Sequence, residues 1–192
     1  MVVSDHKSPA NLFSTQLTYN RAYEKKLILK DGDLVFLRPL TWNDLDKIHA
    51  LFESFSEETL YLRYFTCSAQ YKEKEIRRLF KALDNNELIL VAELLEGEKP
   101  LIGICELARQ KRAPSTAECA ITVADEWHGK TLGVQMLEWL VKIGEDRKIK
   151  YIIGYFNAGN LAVSSLLRNS GYRYRTTCEL NVISFHLFLG NE

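Results

Sequence analysis

Most of the usual signs of a function are missing from this 192-residue chain. There is no excess charge of either sign: Lys+Arg and Asp+Glu both number 25, for a formal net charge of zero. A nucleic-acid partner normally leaves a basic field, and a basic partner an acidic tail; neither is present. Cysteine is sparse. The four residues, Cys67, Cys105, Cys119 and Cys178, lie far apart, with neither zinc-ligand nor redox spacing. A reduced, cytoplasmic setting follows, with Cys105 and Cys119 acting as small hydrophobes inside apolar runs. His6, His49, His128 and His186 lack ligand spacing, so no metal is expected. Trp42, Trp127 and Trp139 form no stacking platform for bases. No apolar run approaches membrane-spanning length, and the first residues lack the basic-then-apolar order of a secretory leader. There is no internal repeat, low-complexity tract or interdomain linker. What survives these exclusions is one domain, large enough to bury a substantial core, that touches neither membrane nor nucleic acid.

What the chain does have is a glycine-bearing turn between a strand and a helix. Cys119 to Val123 is an apolar, strand-like run that leads into Asp125-Glu-Trp-His-Gly-Lys-Thr-Leu-Gly-Val-Gln-Met136. Gly133, Met136, Leu137, Leu140 and Gly144 then recur at spacings of three and four, as on one face of a helix. The first N–H groups of a helix have no intrahelical partner, and the helix dipole puts partial positive charge there. With Gly129 and Gly133 leaving the backbone open and Lys130 adding a charge, the turn suits a phosphate. An ordinary solvated turn is the competing reading, because short glycine patterns recur by chance.

Around this turn the pattern changes twice. Residues 1–26 are polar and weakly patterned and are expected to form a loose arm, with residues 27–192 as the single folded domain. Leu27-Ile28-Leu29 precedes a strong turn, Lys30-Asp31-Gly32-Asp33, and Leu34 to Arg38 reads as a strand stopped by Pro39. Thr41 to Asp44 fits a capping box ahead of a helix carrying Leu45, Ile48 and Phe52. Helices are also expected over Ser56 to Phe65 and through Ile76, Leu79, Phe80 and Leu83, ending near Asp84-Asn85-Asn86. Leu88 to Leu95 and Leu101 to Ala108 form a hairpin, followed by the strand Thr116 to Val123. After the long helix come strand Tyr151 to Phe156, helix Leu161 to Asn169 closed by Gly171, and strands Tyr172 to Cys178 and Val182 to Leu189.

This order, together with the turn, resembles the GNAT superfamily of acyl-CoA-dependent N-acyltransferases over roughly Asp33 to Leu189. Their pyrophosphate loop reads Gln/Arg-x-x-Gly-x-Gly/Ala. Laid on this sequence, His128 takes the first position, Thr131 the first glycine and Gly133 the second. Leu29-Lys-Asp-Gly32, Leu37-Arg-Pro39 and Leu60-Tyr-Leu-Arg-Tyr-Phe65 resemble more narrowly the acetyltransferase domain of Pat-type protein lysine acetyltransferases. The resemblance implies an α+β fold, a mixed, largely antiparallel central sheet flanked by helices, and acetyl-CoA as acyl donor. It assigns pantetheine contacts to the backbone of Ile121, Thr122 and Val123, on a strand that splays from its neighbour at a bulge. It assigns pyrophosphate contacts to His128, Gly129, Lys130, Thr131, Leu132, Gly133 and Val134, and a CoA-arm contact to Asn160. Asn160 is equally at home as a helix N-cap.

For chemistry, a lysine amine with a free pKa of about 10.4 arrives protonated and needs an acceptor. Glu118 lies on the strand face with Thr116, Ala120 and Thr122, opposite Ala117, Cys119, Ile121 and Val123. Its setting is similar to a strand glutamate proposed as base in Pat-type enzymes; the structural alternative is an edge glutamate paired with Lys111 or Arg112. Glu93 and Glu106 are the reserves. Many GNAT enzymes carry a tyrosine that protonates the leaving thiolate, and here that position is Leu167. The expectation is an N-acetyltransferase acting on a primary amine, foremost a protein lysine. A small-amine acetyltransferase for a polyamine or amino sugar, and a non-catalytic acyl-CoA-binding module, are its rivals. The reading admits a homodimer.

Overall fold

The computed structural model describes residues 21–66, 68–83 and 87–190. Cys67, the Asp84-Asn85-Asn86 helix end and most of the expected arm fall outside the described residues. The strands are β1 (Lys25–Ile28), β2 (Leu34–Pro39), β3 (Leu88–Leu94), β4 (Leu101–Arg109), β5 (Thr116–Val123), β6 (Tyr151–Asn157), β7 (Tyr174–Glu179) and β8 (Val182–Phe188). The α-helices are α1 (Leu45–Glu53), α2 (Glu57–Tyr64), α3 (Ala69–Leu83), α4 (Leu132–Asp146) and α5 (Leu161–Asn169). Single 3-10 turns lie at Arg21–Tyr23, Trp42–Asp44 and Asp125–Trp127. The strands form one sheet in the order β1-β2-β3-β4-β5-β6-β8-β7. Every neighbouring pair is antiparallel except β5 with β6. This is the mixed, mostly antiparallel α+β sheet that the family resemblance implies.

Each face of the sheet has its own core, as strand alternation requires. On one face Leu90, Cys105, Ala117, Cys119 and Ile152 pack with Leu132, Met136, Leu137 and Leu140 of α4 and with Leu167 of α5. On the other, Ile89, Val91, Leu101 and Ile104 pack with Ile48 and Phe52 of α1, Leu60 of α2, and Ile76 and Leu79 of α3. Fully burying side chains of this size contributes about 1.5–3 kcal/mol each, so the two layers hold the sheet between them. No helix among the described residues is long and apolar enough to cross a membrane.

The described end of the expected arm is part of the fold rather than loose. Lys25 and Lys26 pair with Leu37 and Phe36. The Tyr23 carbonyl accepts from Trp139 Nε1 at 3.0 Å, and its hydroxyl accepts from Arg147 Nη2 at 2.9 Å. One short polar strand is hard to detect because β2 and α4, far along the chain, supply what it binds to.

Candidate active site

β5 is the strand on which the two halves of the sheet meet and part. Its register with β4 runs without a break from Gly103↔Val123 to Arg109↔Ala117. Its parallel pairing with β6 ends after three residues, at Glu118↔Ile153, while β6 runs on beside β8 as far as Asn157. Beyond Glu118 the sheet is therefore open between β5 and β6. The expected bulge in β5 is not what opens it; the register shift lies between β3 and β4, where Ile102 of β4 is the extra residue opposite Ala92 and Glu93.

Which backbone groups face the gap follows from alternation. Gln110 N donates to the Thr116 carbonyl at 2.9 Å, and Ala124 N to the Ile102 carbonyl at 2.9 Å, so even-numbered residues of β5 turn their backbone groups toward β4. Odd-numbered residues face β6. The Cys119 carbonyl lies 3.1 Å from where a side chain on Gly154 would begin. Ile121 and Val123 thus present N–H groups at the open edge, whereas the groups of Thr122 are turned to β4. Of the three residues expected to share the pantetheine contacts, two have the right geometry. The Thr122 side chain is buried on the face of α1–α3.

The turn after β5 gathers main-chain donors at the start of α4. Among the described residues, no hydrogen bond uses the N–H groups of Gly129 to Val134, and α4 has no side-chain cap. Six donors at a helix N-terminus fit a pyrophosphate. The side chains are another matter. His128 Nε2 lies 2.9 Å from the Val123 carbonyl, so that nitrogen carries the hydrogen and donates inward. Lys130 Nζ meets Asp31 at 2.7 Å and Asp33 at 3.5 Å, and stands 4.3 Å over the Trp127 ring. Its charge is thus already engaged. Thr131 is the N-cap, with φ of 74°, in the left-handed region, rather than a residue of the first helical turn. Its hydroxyl donates to the Lys130 carbonyl and accepts from Gln135 Nε2 at 3.0 Å. Gly133 leaves room toward α5, whose Leu166 Cδ1 lies 3.5 Å from the position of an added Cβ.

Glu118 is exposed and is the last residue of β5 paired with β6, where the opening starts. Neither Lys111 nor Arg112 bonds it, so the structural alternative has no support among the described contacts. Glu118 keeps this exposure although its strand neighbours Ala117 and Cys119 are buried. The reserves are occupied. Glu93 bonds Arg38 at 3.1 Å and Lys47 at 2.6 Å; against the burial that would raise it, these cations hold its carboxyl below the usual range. Glu106 lies between Arg78 at 2.6 Å and Arg63 at 3.5 Å. Both are structural counter-ions.

On α5, Asn160 caps the helix, its Oδ1 accepting from Val163 N at 3.1 Å. Leu167 is 2% exposed and belongs to the core, so the position aligned with the family's tyrosine holds an apolar side chain with no proton to give. Sequence reading missed Asp31, Asp33 and Gln135 at the loop, and Gly154 at the opening. Only the Asp-Gly-Asp turn gave a signal there, and it was a signal for a turn.

A strand unzipped from its parallel neighbour, followed by free N–H groups at a helix start, is an arrangement that suits an acyl-CoA. The family comparison is in agreement: a model described as an acetyltransferase (GNAT) domain matches residues 35–173. The chain belongs to the GNAT family and is an acetyl-CoA-dependent N-acetyltransferase. Solved structures agree in fold. The GNAT domain of S. lividans PAT is 21% identical, with a TM-score of 0.74 over 90% of this chain and 100% of that one. Spermidine N-acetyltransferase from Vibrio cholerae, in complex with CoA and spermine, is 20% identical, with a TM-score of 0.64 over 81% of this chain and 95% of that one. Salmonella typhimurium yncA, solved with its cofactor acetyl-CoA, is 15% identical, with a TM-score of 0.64 over 82% and 95%.

Proposed function

We propose that the acceptor is the ε-amine of a protein lysine, with Glu118 as general base. The observation that carries this reading is the exposure of Glu118 at the point where β5 and β6 part. The row that crosses the sheet from Glu118 passes Ile153 to His186 and Arg175, and the last two are exposed. Tyr155, next along β6, is 53% exposed. A site for a small amine must itself wall off the reacting atoms from water. A protein acceptor brings its own surface to cover them, so an exposed base suits it. The resemblance of Leu60 to Phe65 to Pat-type domains supports the same acceptor.

The division of labour follows from the geometry. The N–H groups of Gly129 to Val134 hold the pyrophosphate, with His128 fixing the turn through its bond to the Val123 carbonyl. The N–H groups of Ile121 and Val123 take the pantetheine and polarise the thioester carbonyl, stabilising charge as it develops there. Glu118 accepts the amine proton, directly or through water. With Leu167 buried, the CoA sulfur departs as thiolate, which a thiol of pKa about 8.5 tolerates. The test is a CoA-release screen with lysine peptides and small amines in parallel, alongside labelling of a cell lysate with acetyl-CoA. Labelling of one or a few proteins at defined lysines is expected. Rapid turnover of a polyamine or amino sugar without enzyme-dependent protein labelling would reverse the assignment.

A further inference from the structure

The turn between β1 and β2 is fastened to the phosphate-binding loop at several points. Lys30 N donates to the Lys130 carbonyl at 3.3 Å, and Gln135 Nε2 donates to the Ile28 carbonyl at 3.0 Å. Between these backbone tethers lie the two ion pairs of Lys130, at 2.7 Å to Asp31 and 3.5 Å to Asp33. Lys130 is the one cation inside a run of six main-chain donors, yet it faces two carboxylates instead of the place those donors share. The mutual bond holds the Asp31 carboxyl below its usual range and raises the Lys130 ammonium. The carboxylates are one-third or more exposed, and Lys130 is one-third exposed. Pairs in such a setting are weak and readily exchanged.

We propose that Asp31 and Asp33 set the affinity for acetyl-CoA by holding Lys130 in reserve, and that Lys130 exchanges these carboxylates for ligand phosphate on binding. The proposal rests on the reading of Gly129 to Val134 as the pyrophosphate cradle. The physical case has three parts. The ammonium sits on a flexible stem rooted between Gly129 and Thr131, so it needs no backbone movement to turn. The Trp127 face, 4.3 Å away, gives it a cation–π contact that does not depend on the carboxylates. A pyrophosphate carries more negative charge than a carboxylate and is already fixed by the main chain, so it competes well for an exposed ammonium. Asp31 and Asp33 then act as affinity-determining residues: they oppose an incoming anion directly and engage the cation it would use.

A double-mutant cycle separates exchange from a fixed tether. Acetyl-CoA dissociation constants are measured by calorimetry for wild type, Asp31→Asn/Asp33→Asn, Lys130→Met and the triple variant, with thermal melts to verify folding. Removing two negative charges strengthens binding in either background through long-range electrostatics. Exchange adds a second gain, the released ammonium, only when Lys130 is present. The aspartate substitutions are therefore expected to tighten binding about two- to fivefold more with Lys130 than with methionine at that position, and high salt should shrink the difference. Equal gains in both backgrounds would overturn the proposal and leave Lys130 as a fixed tether. If the double substitution disturbs the turn, the single Asp31→Asn substitution tests the 2.7 Å contact alone. Gly133→Glu, which puts a carboxylate among the six donors, tests the cradle itself. Wild-type affinity in that variant would remove the cradle and this proposal together, whereas an additive cycle with Gly133→Glu impaired about a hundredfold would remove only the exchange.

Discussion

At the scale of single residues, Thr131 shows how a family pattern departs from its physics. The position aligned with the first loop glycine has φ of 74°, where a β-branched residue is strained. The left-handed conformation costs an L-residue about 1–2 kcal/mol, and the bonds of the Thr131 hydroxyl offset part of that. Thr131→Gly is therefore expected to stabilise the fold by about 1 kcal/mol, raising Tm by about 2–4 °C for a chain of this size. Acetyl-CoA affinity should change by less than about tenfold, since the main-chain donors stay in place. A lower melting temperature would mean that the hydroxyl bonds outweigh the strain. Glu118→Gln keeps shape but cannot accept a proton, so kcat should fall about a hundred- to ten-thousandfold with acetyl-CoA affinity unchanged. Near-normal kcat in that variant would end the base assignment. The strand face of Glu118 was readable from alternation alone. Its exposure was not, because that depends on which helices cover the face. Likewise the loop could be read as an anion site, but not the turn of Lys130 toward Asp31, some hundred residues away.

At the scale of elements, nearly every strand and helix was legible, because periodicity, caps and turn residues are local signals. The opening between β5 and β6 was expected only through the family resemblance, which set it at a bulge. It depends on a parallel pairing only three residues long and on a contact between β6 and β8. Gly154 is where this contact is closest: a Cβ there would lie 2.5 Å from Phe185 Cζ and 3.1 Å from the Cys119 carbonyl. The ring of Phe185 is in the core and 6% exposed, so it has little room to yield. Gly154→Val should destabilise by about 1–3 kcal/mol through overpacking, and it should push β6 from β5 at the last paired residues. Urea unfolding measures the first effect. The second should weaken acetyl-CoA binding even where the protein remains folded, because the N–H groups of Ile121 and Val123 are spaced from β6 at this point. Unchanged stability would show that Phe185 moves aside freely. The same reasoning explains the described end of the expected arm: Lys25 and Lys26 form a strand against the edge that β2 offers.

At the scale of the whole molecule, the apolar cores could be foreseen from sequence, but the charges that tie the helical layer to the sheet could not. Arg38 on β2 bonds Asp44, just before α1, at 2.7 Å and Glu93 on β3 at 3.1 Å, and Lys47 of α1 reaches Glu93 at 2.6 Å. The Arg38 and Asp44 side chains are 11% and 6% exposed, so each depends on the other for its charge. Burial would raise the Asp44 carboxyl, but hydrogen bonds from Arg38 and Thr41 hold it below its usual range; Arg38 and Lys47 do the same for Glu93. A carboxyl depressed in the folded state contributes stability that is fully present above its unfolded pKa, about 3.9 for Asp and 4.3 for Glu. That contribution is lost as pH falls from there through the depressed folded value. Stability from this cluster should therefore be level from neutral pH to about 5 and decline below about 4. Asp44→Asn leaves Arg38 short of its main partner and should cost about 3 kcal/mol at neutral pH, as for one half of a buried pair. In acid the wild-type carboxylate is protonated too, so the gap between wild type and variant should narrow. Unfolding free energies from urea titrations between about pH 7 and 3 measure that narrowing. A gap that stays constant across this range would show that Asp44 acts through packing and its Thr41 cap, not through its charge.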